Sequence, residues 1–216
     1  MIRINELKLP LDEDEKELYR LAAKALKIGE RHIRELTICK KSVDCRKKDD
    51  IKFIFSVDVA LDIDEKRVAS KAGNRVSLSE KSVYTLPPVK RKSTLRPVIV
   101  GFGPAGMFAA LTLTEAGLSP IIIERGETVD ERTASVKSFW RTRVLNPESN
   151  VQFGEGGAGT FSDGKLTTGI KDKRCRRVFE KFCEHGAPSE IMYSATPHIG
   201  TDRLAGVVKA IRKTVE

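Results

Sequence analysis

Three glycines after a short β-branched run constrain this chain more than any other feature. Val98–Val100 suits a buried parallel strand, because β-branched residues favour extended backbone that is covered on both faces. Gly101, Gly103 and Gly106 follow in the spacing G-x-G-x-x-G, and good helix formers come next. The order strand, glycine turn, helix predicts a βαβ unit of an α/β sheet. We call residues 101–106 the glycine elbow.

Each position of the glycine elbow has a physical task if the ligand is a pyrophosphate. Gly101 permits the tight turn, and at Gly103 a Cβ would stand between the backbone and the phosphates. Gly106 lets the helix lie close on the strand. Pro104 and Ala105 sit in the first helical turn, where unpaired N–H groups and the helix dipole favour an anion. The glycine elbow therefore predicts dinucleotide binding, with these five residues as cofactor contacts.

An acidic residue follows the next strand at the spacing that dinucleotide binding needs. Ile121–Ile123 predicts a second buried strand, and Glu124 closes it 23 positions after Gly101, near the ~20 residues expected. The Glu124 carboxylate can accept from both ribose hydroxyls and would repel a 2′-phosphate, which argues against NADP. Arg125 and, in the next helical segment, Arg132 are further candidate cofactor contacts, because a guanidinium suits a pyrophosphate.

Two other interpretations of this region involve no nucleotide. One is an ordinary βαβ turn without a ligand. The other is a membrane span over Val98–Thr114, which we discount because Arg96 and Glu115 bound a run shorter than ~18 residues that contains three glycines and a proline. Strand, glycines, helix and acid together favour the dinucleotide site over both.

A second glycine-rich stretch runs from Gly154 to Gly164, and we call it the glycine loop. Five of its eleven residues are glycine, far above average usage. Such a loop brings many N–H groups close to a ligand, whereas the alternative is a flexible surface loop. Hydrophobic anchors at Val151, Phe153 and Phe161 favour the ligand. The candidate contacts to phosphate or a flavin edge are Gly156, Gly157, Gly159, Thr160, Ser162 and Lys165.

Composition limits the partners and the compartment. The 216 residues carry a net charge of +9, with an excess of +4 up to residue 90 and +5 after it. Because the excess is spread out, a solvated surface is a better interpretation than nucleic-acid binding. The first six residues lack the apolar core of a signal peptide, and the four cysteines form no C-x-x-C pair. We therefore expect a cytoplasmic protein with reduced thiols, no metal site and no membrane partner.

Periodic hydrophobic residues in the N-terminal part predict a small α+β domain. They predict strands at 1–9, 33–38, 51–61 and 82–84, a helix at 13–27 capped by Asp12, and a short helix at 62–71. This β-α-β-β pattern suggests a ferredoxin-like unit. We place this domain at 1–86, a polar, proline-bearing linker at 87–95, and an α/β, Rossmann-like domain at 96–216.

Four stretches of the sequence resemble one family, the uncharacterised bacterial FAD-dependent dehydrogenases, also called NAD(FAD)-utilising dehydrogenases. These stretches are 98–106, 123–126, 151–168 and 197–202. The glycine-rich third stretch is specific, whereas a large flavoprotein superfamily shares the first two. The small N-terminal domain also resembles the N-terminal segment of that family.

The resemblance implies FAD rather than free NAD at the glycine elbow. It implies that the three elbow glycines meet the pyrophosphate, that Glu124 meets the adenosine ribose, and that 156–165 lies near the phosphates or the isoalloxazine. The implied activity is hydride or electron transfer on an unknown small-molecule substrate, with NAD(P)H as a candidate electron donor. Members of such families are longer than this chain. The resemblance therefore implies an N-terminal fragment with a truncated FAD/NAD(P)-binding domain.

Two other functions stay open at this point. An NAD-binding dehydrogenase would use the same glycine elbow, and a non-catalytic nucleotide-binding module would dock RNA or a protein through its N-terminal domain. Bound flavin absorbs near ~450 nm and bound NAD does not, so absorbance separates FAD from NAD. The sequence identifies no catalytic acid or base, no substrate and no oligomeric state.

Overall fold

The chain forms two units, each with its own hydrophobic core. The first unit comprises Met1–Val83 and Met192–Pro197, and the second comprises Tyr84–Ile191 and His198–Glu216. The structure, a computed structural model, describes residues 1–80, 83–90, 94–170 and 172–216.

The first unit is an antiparallel sheet with two helices. Its elements are β1 (Ile2–Pro10), α1 (Glu17–Leu26), β2 (Ile33–Asp44), β3 (Lys52–Leu61), α2 (Glu65–Lys71) and β4 (Val76–Leu78). The strands lie in the order β2-β3-β1-β4, and neighbouring strands are antiparallel. With one helix between β1 and β2 and another between β3 and β4, this is the β-α-β-β-α-β arrangement that the sequence pattern suggests.

A β-bulge in β1 explains a hydrophobic pattern that changes phase. Ile2 and Ile4 alternate regularly, but the next buried residues are Leu7 and Leu9. The register with β3 shifts between Ile4 and Leu7, and Glu6 adopts a φ of 59° there. The extra residue returns both leucines to the core face, so all four side chains are buried.

Three predicted boundaries in this unit are wrong. The predicted cap at Asp12 does not start α1, which begins after a turn in which Asp14 accepts from the N–H of Lys16 at 2.8 Å. β2 continues past its predicted end to Asp44, because its pairing with β3 persists through a bulge. β4 takes the place of the predicted strand at 82–84, of which Ser82 lies outside the described residues.

An ion pair lies on the sheet face turned away from this core. Arg3 on β1 donates from Nε and Nη2 to the two carboxylate oxygens of Asp58 on β3, both at 2.8 Å. The Asp58 side chain is only 13% exposed. Burial raises the pKa of this carboxyl, but the hydrogen bonds from Arg3 and its neighbours outweigh burial, so the pKa lies below its usual value.

We expect Arg3→Met to destabilise the protein by roughly 1 to 3 kcal/mol at pH 7, because it leaves the buried carboxylate of Asp58 without the partly exposed cation that pairs with it. The depressed pKa means that Asp58 stabilises the fold above its unfolded pKa of about 3.9, and that this contribution is lost as the pH falls through the folded pKa. The difference between wild type and variant should therefore shrink from pH 7 to pH 3. Urea unfolding at both pH values measures it.

Arg20→Met is the control, because Arg20 and Glu17 form an exposed pair on α1. This variant should change the unfolding midpoint little at either pH. A difference between wild type and Arg3→Met that is the same at pH 7 and pH 3 would contradict the role given to Asp58.

The second unit is built around two short parallel strands joined by a helix. β5 (Val98–Val100) pairs with β6 (Ile121–Ile123), starting with Val98 opposite Ile121. The helices are α3 (Pro104–Glu115), which crosses between the strands, α4 (Val129–Thr142), α5 (Lys173–Glu184) and α6 (Thr201–Val215). The core of this unit joins Ile99 to side chains of α3, α5 and α6. Asp172 is the N-cap of α5, and its side chain accepts from the N–H of Arg174.

β5 and β6 are covered on one face only. Val98, Val100, Ile121 and Ile123 are between 41% and 83% exposed, whereas Ile99 is buried. The prediction of two fully buried strands is therefore wrong. Alternate residues point to opposite faces of a sheet, and the face that carries Ile99 is the one in the hydrophobic core. The unit is mixed α/β, and the predicted Rossmann-like arrangement stays a prediction.

A short segment of the C-terminal half belongs to the first unit. Lys41 in β2 donates its N–H to Tyr193 at 2.7 Å and accepts from the N–H of Ala195 at 2.9 Å. These two bonds form a parallel bridge between Lys41 and Ser194. The sequence did not reveal this bridge, because an isolated bridge has no hydrophobic period.

Candidate functional site

The glycine elbow joins β5 to α3. Gly101 follows β5 with a φ of 90°, which strains other residues, and its N–H donates to the carbonyl of Ile123 at 2.7 Å. Gly103 is the N-cap of α3, and Pro104 and Ala105 occupy its first turn. The helix therefore begins at the carboxyl end of β5, where N–H groups of its first turn lack partners within the helix.

Gly103 and Gly106 differ in what surrounds them. A Cβ on Gly106 would lie 2.0 Å from the carbonyl oxygen of Gly101, so α3 could not pack as close to the end of β5 as it does. A Cβ on Gly103 would meet nothing closer than the Cα of Gly157, at 3.9 Å. The Gly103 backbone, with φ −76° and ψ −173°, suits any residue. The fold thus needs glycine at 106 but not at 103, which fits a position kept bare for a ligand.

The glycine loop lies against the glycine elbow, backbone to backbone. Gly156 donates its N–H to the carbonyl of Phe102 at 2.8 Å. A Cβ on Gly157 would lie 3.3 Å from the Cα of Gly103, and a 3-10 turn starts beside it at Ala158. Within the described residues, the N–H groups of Gly103 and Ala158 have no acceptor. Unpaired donors of two segments therefore lie close together, as in backbone sites for phosphate.

Glu124 lines a cavity of about 560 Å³ beside the glycine elbow. Its carboxylate accepts from the N–H of Phe102 at 2.6 Å and of Gly126 at 2.9 Å. These bonds fix the carboxylate next to the elbow, and each oxygen keeps a lone pair for a ligand. The volume is that of a small-molecule site. Further lining residues are Arg96, Pro120, Ile122, Thr128, Glu155 and Arg212.

Arg132 holds the glycine loop from within. Its fully buried guanidinium donates to the carbonyls of Asn150 and Val151, both at 2.8 Å, and of Glu155 at 2.6 Å. A Cβ on Gly154 would lie 2.6 Å from the Arg132 Cδ, so this glycine makes room for the arginine. Burial lowers the pKa of Arg132, and nearby carboxylates counteract burial. Because its donors are used inside the protein, we assign Arg132 to loop support.

Two hydroxyls of the glycine loop also bond within the protein. Thr160 is buried, and its Oγ1 lies 3.3 Å from both Nη1 of Arg132 and the carbonyl oxygen of Glu155. Ser162 donates to the carbonyl of Gly159 at 2.7 Å. The hydroxyls of Thr160 and Ser162 therefore shape the loop.

Lys165 and Arg125 lie at the surface. The Lys165 side chain is 73% exposed, with its Nζ 3.0 Å from Asp163. Arg125 lies 3.8 Å from the ring centre of Phe153 and 3.6 Å from the carboxylate of Glu148. The structure brings together the elbow glycines, Glu124 and the first glycines of the loop. Lys165 and Arg125 lie at the protein surface, outside this group.

Sequence reasoning missed Glu155, a carboxylate only 3% exposed inside the glycine loop. Its Oε2 accepts from the N–H of Val129 at 2.5 Å, at the start of α4, and its Oε1 accepts from Nε of Arg212 at 2.9 Å. The signal that could have found it is a charge within a run of small residues. A charge in that setting is informative if the loop packs against other elements.

The described strands of the first unit carry two aromatic residues, and both lie on one face of the sheet. Phe53 and Phe55 pack in the core on one face of the sheet, and the other face carries the Arg3–Asp58 pair. The described strands of this unit contain no further aromatic residue.

Comparisons with known proteins bear on both units. Residues 96–141 match the FAD binding domain family, and residues 1–60 match a domain of unknown function (DUF8436). An uncharacterized protein of Clostridium beijerinckii is 49% identical over 217 residues, which is 100% of this chain and 40% of that protein. The dual trans-enoyl reductase/FAD-dependent monooxygenase tazHJ of Aspergillus terreus is 40% identical over 65 residues, 28% of this chain and 9% of that protein. The chain thus spans less than half the length of these relatives.

The match to the FAD binding domain covers the centre of the candidate site. Its range starts just before β5 and ends in α4, so it contains the glycine elbow and Glu124. These similarities support FAD binding and, at a coarse level, a flavin-dependent oxidoreductase. No helix in the described ranges is long and apolar enough to cross a membrane. A search of those ranges for His, Cys, Asp and Glu clusters that could hold a metal ion found none.

Proposed function

We propose that this chain binds FAD as part of a flavin-dependent oxidoreductase. The observation that carries the proposal is the bare junction between Gly103 and Gly157, where two backbone segments meet without an intervening side chain. The N-terminus of α3 and the turn at Ala158 both have N–H groups without acceptors among the described residues. A pyrophosphate, which is anionic and needs close backbone approach, fits this junction.

Glu124 and its cavity suit the adenosine half of the cofactor. The carboxylate is fixed by two backbone N–H groups, so it presents its free lone pairs without losing further rotamer freedom. Ribose hydroxyls would donate to it, and a 2′-phosphate would be repelled. The cavity of about 560 Å³ leaves room for a nucleoside.

The residues of the chain divide into contacts and supports under this proposal. Bound FAD supplies hydride or electron transfer at its isoalloxazine ring. The proposed contacts are Gly101, Gly103, Pro104, Ala105, Gly106, Glu124, Gly156, Gly157 and Gly159. Arg132, Thr160 and Ser162 fix the loop, and Arg125 and Lys165 remain surface candidates. A small-molecule substrate and an NAD(P)H electron donor belong to the proposal. An NAD-binding dehydrogenase would use the same elbow, but the family match favours FAD.

We expect the wild-type chain to bind FAD, with a flavin band near ~450 nm that persists through gel filtration. Gly103→Val should weaken FAD binding by at least about tenfold without loss of fold, because a Cβ has room at this position but stands where the phosphates would lie. Glu124→Ala should weaken binding roughly 10- to 100-fold, because it removes charged hydrogen bonds to the ribose. Quenching of flavin fluorescence measures the Kd.

Two matched variants serve as controls. Gly206→Val makes the same change in α6, where a Cβ meets nothing within 4 Å, and Glu148→Ala removes an exposed carboxylate that pairs only weakly with Arg125. Both should bind FAD as the wild type does. The proposal fails if Gly103→Val and Glu124→Ala also retain full affinity, or if the wild type binds NAD in preference to FAD.

A further inference from the structure

We propose that Arg212 on α6 holds the glycine loop in place by neutralising the buried carboxylate of Glu155. Both residues are positioning residues of the nucleotide site. This inference rests on the proposed function, because the loop matters only if it contacts the cofactor. Helices α6 and α4 make three contacts with the beginning of the loop.

The first contact is the ion pair. Nε of Arg212 donates to Oε1 of Glu155 at 2.9 Å, and the Glu155 side chain is 4% exposed. The second is the bond from the N–H of Val129 to Oε2 of Glu155, at 2.5 Å. The third is apolar: a Cβ on Gly156 would lie 3.0 Å from a methyl carbon of Val208 on α6. Helix α6 therefore touches the loop at two consecutive residues.

The next bond along the chain transmits this position to the cofactor site. Gly156 follows Glu155 and donates to the carbonyl of Phe102, inside the glycine elbow. Gly157, one residue further, lies against Gly103. A displacement of Glu155 would therefore move the N–H groups that face the proposed pyrophosphate.

The electrostatics of the pair are asymmetric. Without Arg212, the Glu155 carboxylate would lie in a buried place with one backbone donor and the N-terminal end of α4. A buried charge without its partner is costly, so the loop would rearrange to hydrate it. Arg212 is 24% exposed, and Asp130 and Glu216 lie nearby, at 3.8 and 3.6 Å. If the charge on Glu155 were removed, Arg212 would therefore still have water and two other carboxylates as partners. Loss of the cation should thus disturb the site far more than loss of the anion.

A second ion pair of α6, which joins it to α4 rather than to the glycine loop, offers a matched control. Lys209 on α6 lies 2.9 Å from the carboxylate of Asp130 on α4, and both side chains are more than 40% exposed. This pair does not involve the glycine loop. If helix docking alone mattered, both pairs would affect the site, whereas the proposal assigns the effect to Arg212.

The experiment compares FAD dissociation constants of the full 216-residue chain as wild type, Arg212→Met, Glu155→Gln, the double variant and Lys209→Met. Arg212→Met should weaken FAD binding by at least about tenfold. Glu155→Gln should stay within about threefold of wild type, because the amide oxygen can still accept from Val129. The double variant should recover to within about threefold, and Lys209→Met should change the Kd less than about twofold.

The rescue separates positioning from a general structural role. If Arg212 merely stabilised α6, adding Glu155→Gln would leave the double variant as weak as Arg212→Met, and that result overturns the inference. An Arg212→Met variant within about twofold of wild type overturns it as well.

A wild type that binds no FAD defeats the proposed function instead. In that event, the rate of protease cleavage within 154–164, measured on the chain without cofactor, tests whether Arg212 holds the loop in position. Arg212→Met should be cleaved at least about tenfold faster, and the double variant should return to the wild-type rate. Equal rates in all variants would overturn the positioning role.

Discussion

Arg132→Met should destabilise the second unit by roughly 3 to 6 kcal/mol, because two buried carbonyls and one partly buried carbonyl lose the donor that satisfies them. Those carbonyls belong to Asn150, Val151 and Glu155, and the guanidinium that bonds them is fully buried. FAD binding should be lost together with stability, because the same carbonyls fix the start of the glycine loop. Urea unfolding followed by circular dichroism, with FAD titration in parallel, measures both effects.

Two further arginine variants test the cause. Arg125→Met removes an arginine that is 53% exposed and lies over the Phe153 ring, so it should cost at most about 1 kcal/mol. Arg132→Lys keeps the charge but loses the planar fork, so it should fall between wild type and Arg132→Met. If Arg132→Met unfolds at the same urea concentration as Arg125→Met, the guanidinium does not support the loop.

Gly106→Ala should cost roughly 3 kcal/mol or more and abolish FAD binding. The added Cβ would lie 2.0 Å from the carbonyl oxygen of Gly101 and 3.0 Å from its carbonyl carbon. Backbone atoms cannot move aside as a flexible side chain can, so α3 must separate from the end of β5. The measurements are the free energy of unfolding in urea and the Kd for FAD.

The matched control is Gly103→Ala, the same substitution three positions earlier. It should leave stability within about 0.5 kcal/mol of wild type, because its Cβ has space and its backbone suits alanine. Its FAD affinity should nevertheless fall. Equal stability of Gly106→Ala and wild type would show that helix and strand need not approach so closely.

The local elements followed from the sequence where a strong period or a turn residue specified them. The alternation through β3 and the step from β5 through the glycine elbow into α3 are of this kind. Each depends on neighbours within a few residues, which a sequence displays directly. The boundaries of α1 and β2 did not follow, because the cap at Asp12 had an equivalent competitor at Asp14 and a bulge masked the period of β2.

Features that depend on distant partners could not be predicted. An arginine such as Arg132 is a common phosphate ligand, and only the fold shows that its guanidinium donates to loop carbonyls instead. Glu155 and Arg212 are 57 residues apart, and no local pattern pairs them. The exposed face of β5 and β6 was likewise unpredictable, because a run of β-branched residues indicates a strand but not how many of its faces are covered.

The bulge in β1 has a consequence for how this strand can change length. On either side of Glu6 the inward residues fall in opposite phases, Ile2 and Ile4 before it and Leu7 and Leu9 after it. Deleting that single residue would place all four side chains in one alternating phase, so β1 could pair with β3 without a bulge and keep both leucines in the core. A one-residue deletion is therefore far better tolerated at this point than within Leu7–Leu9, where it would turn an inward leucine toward solvent.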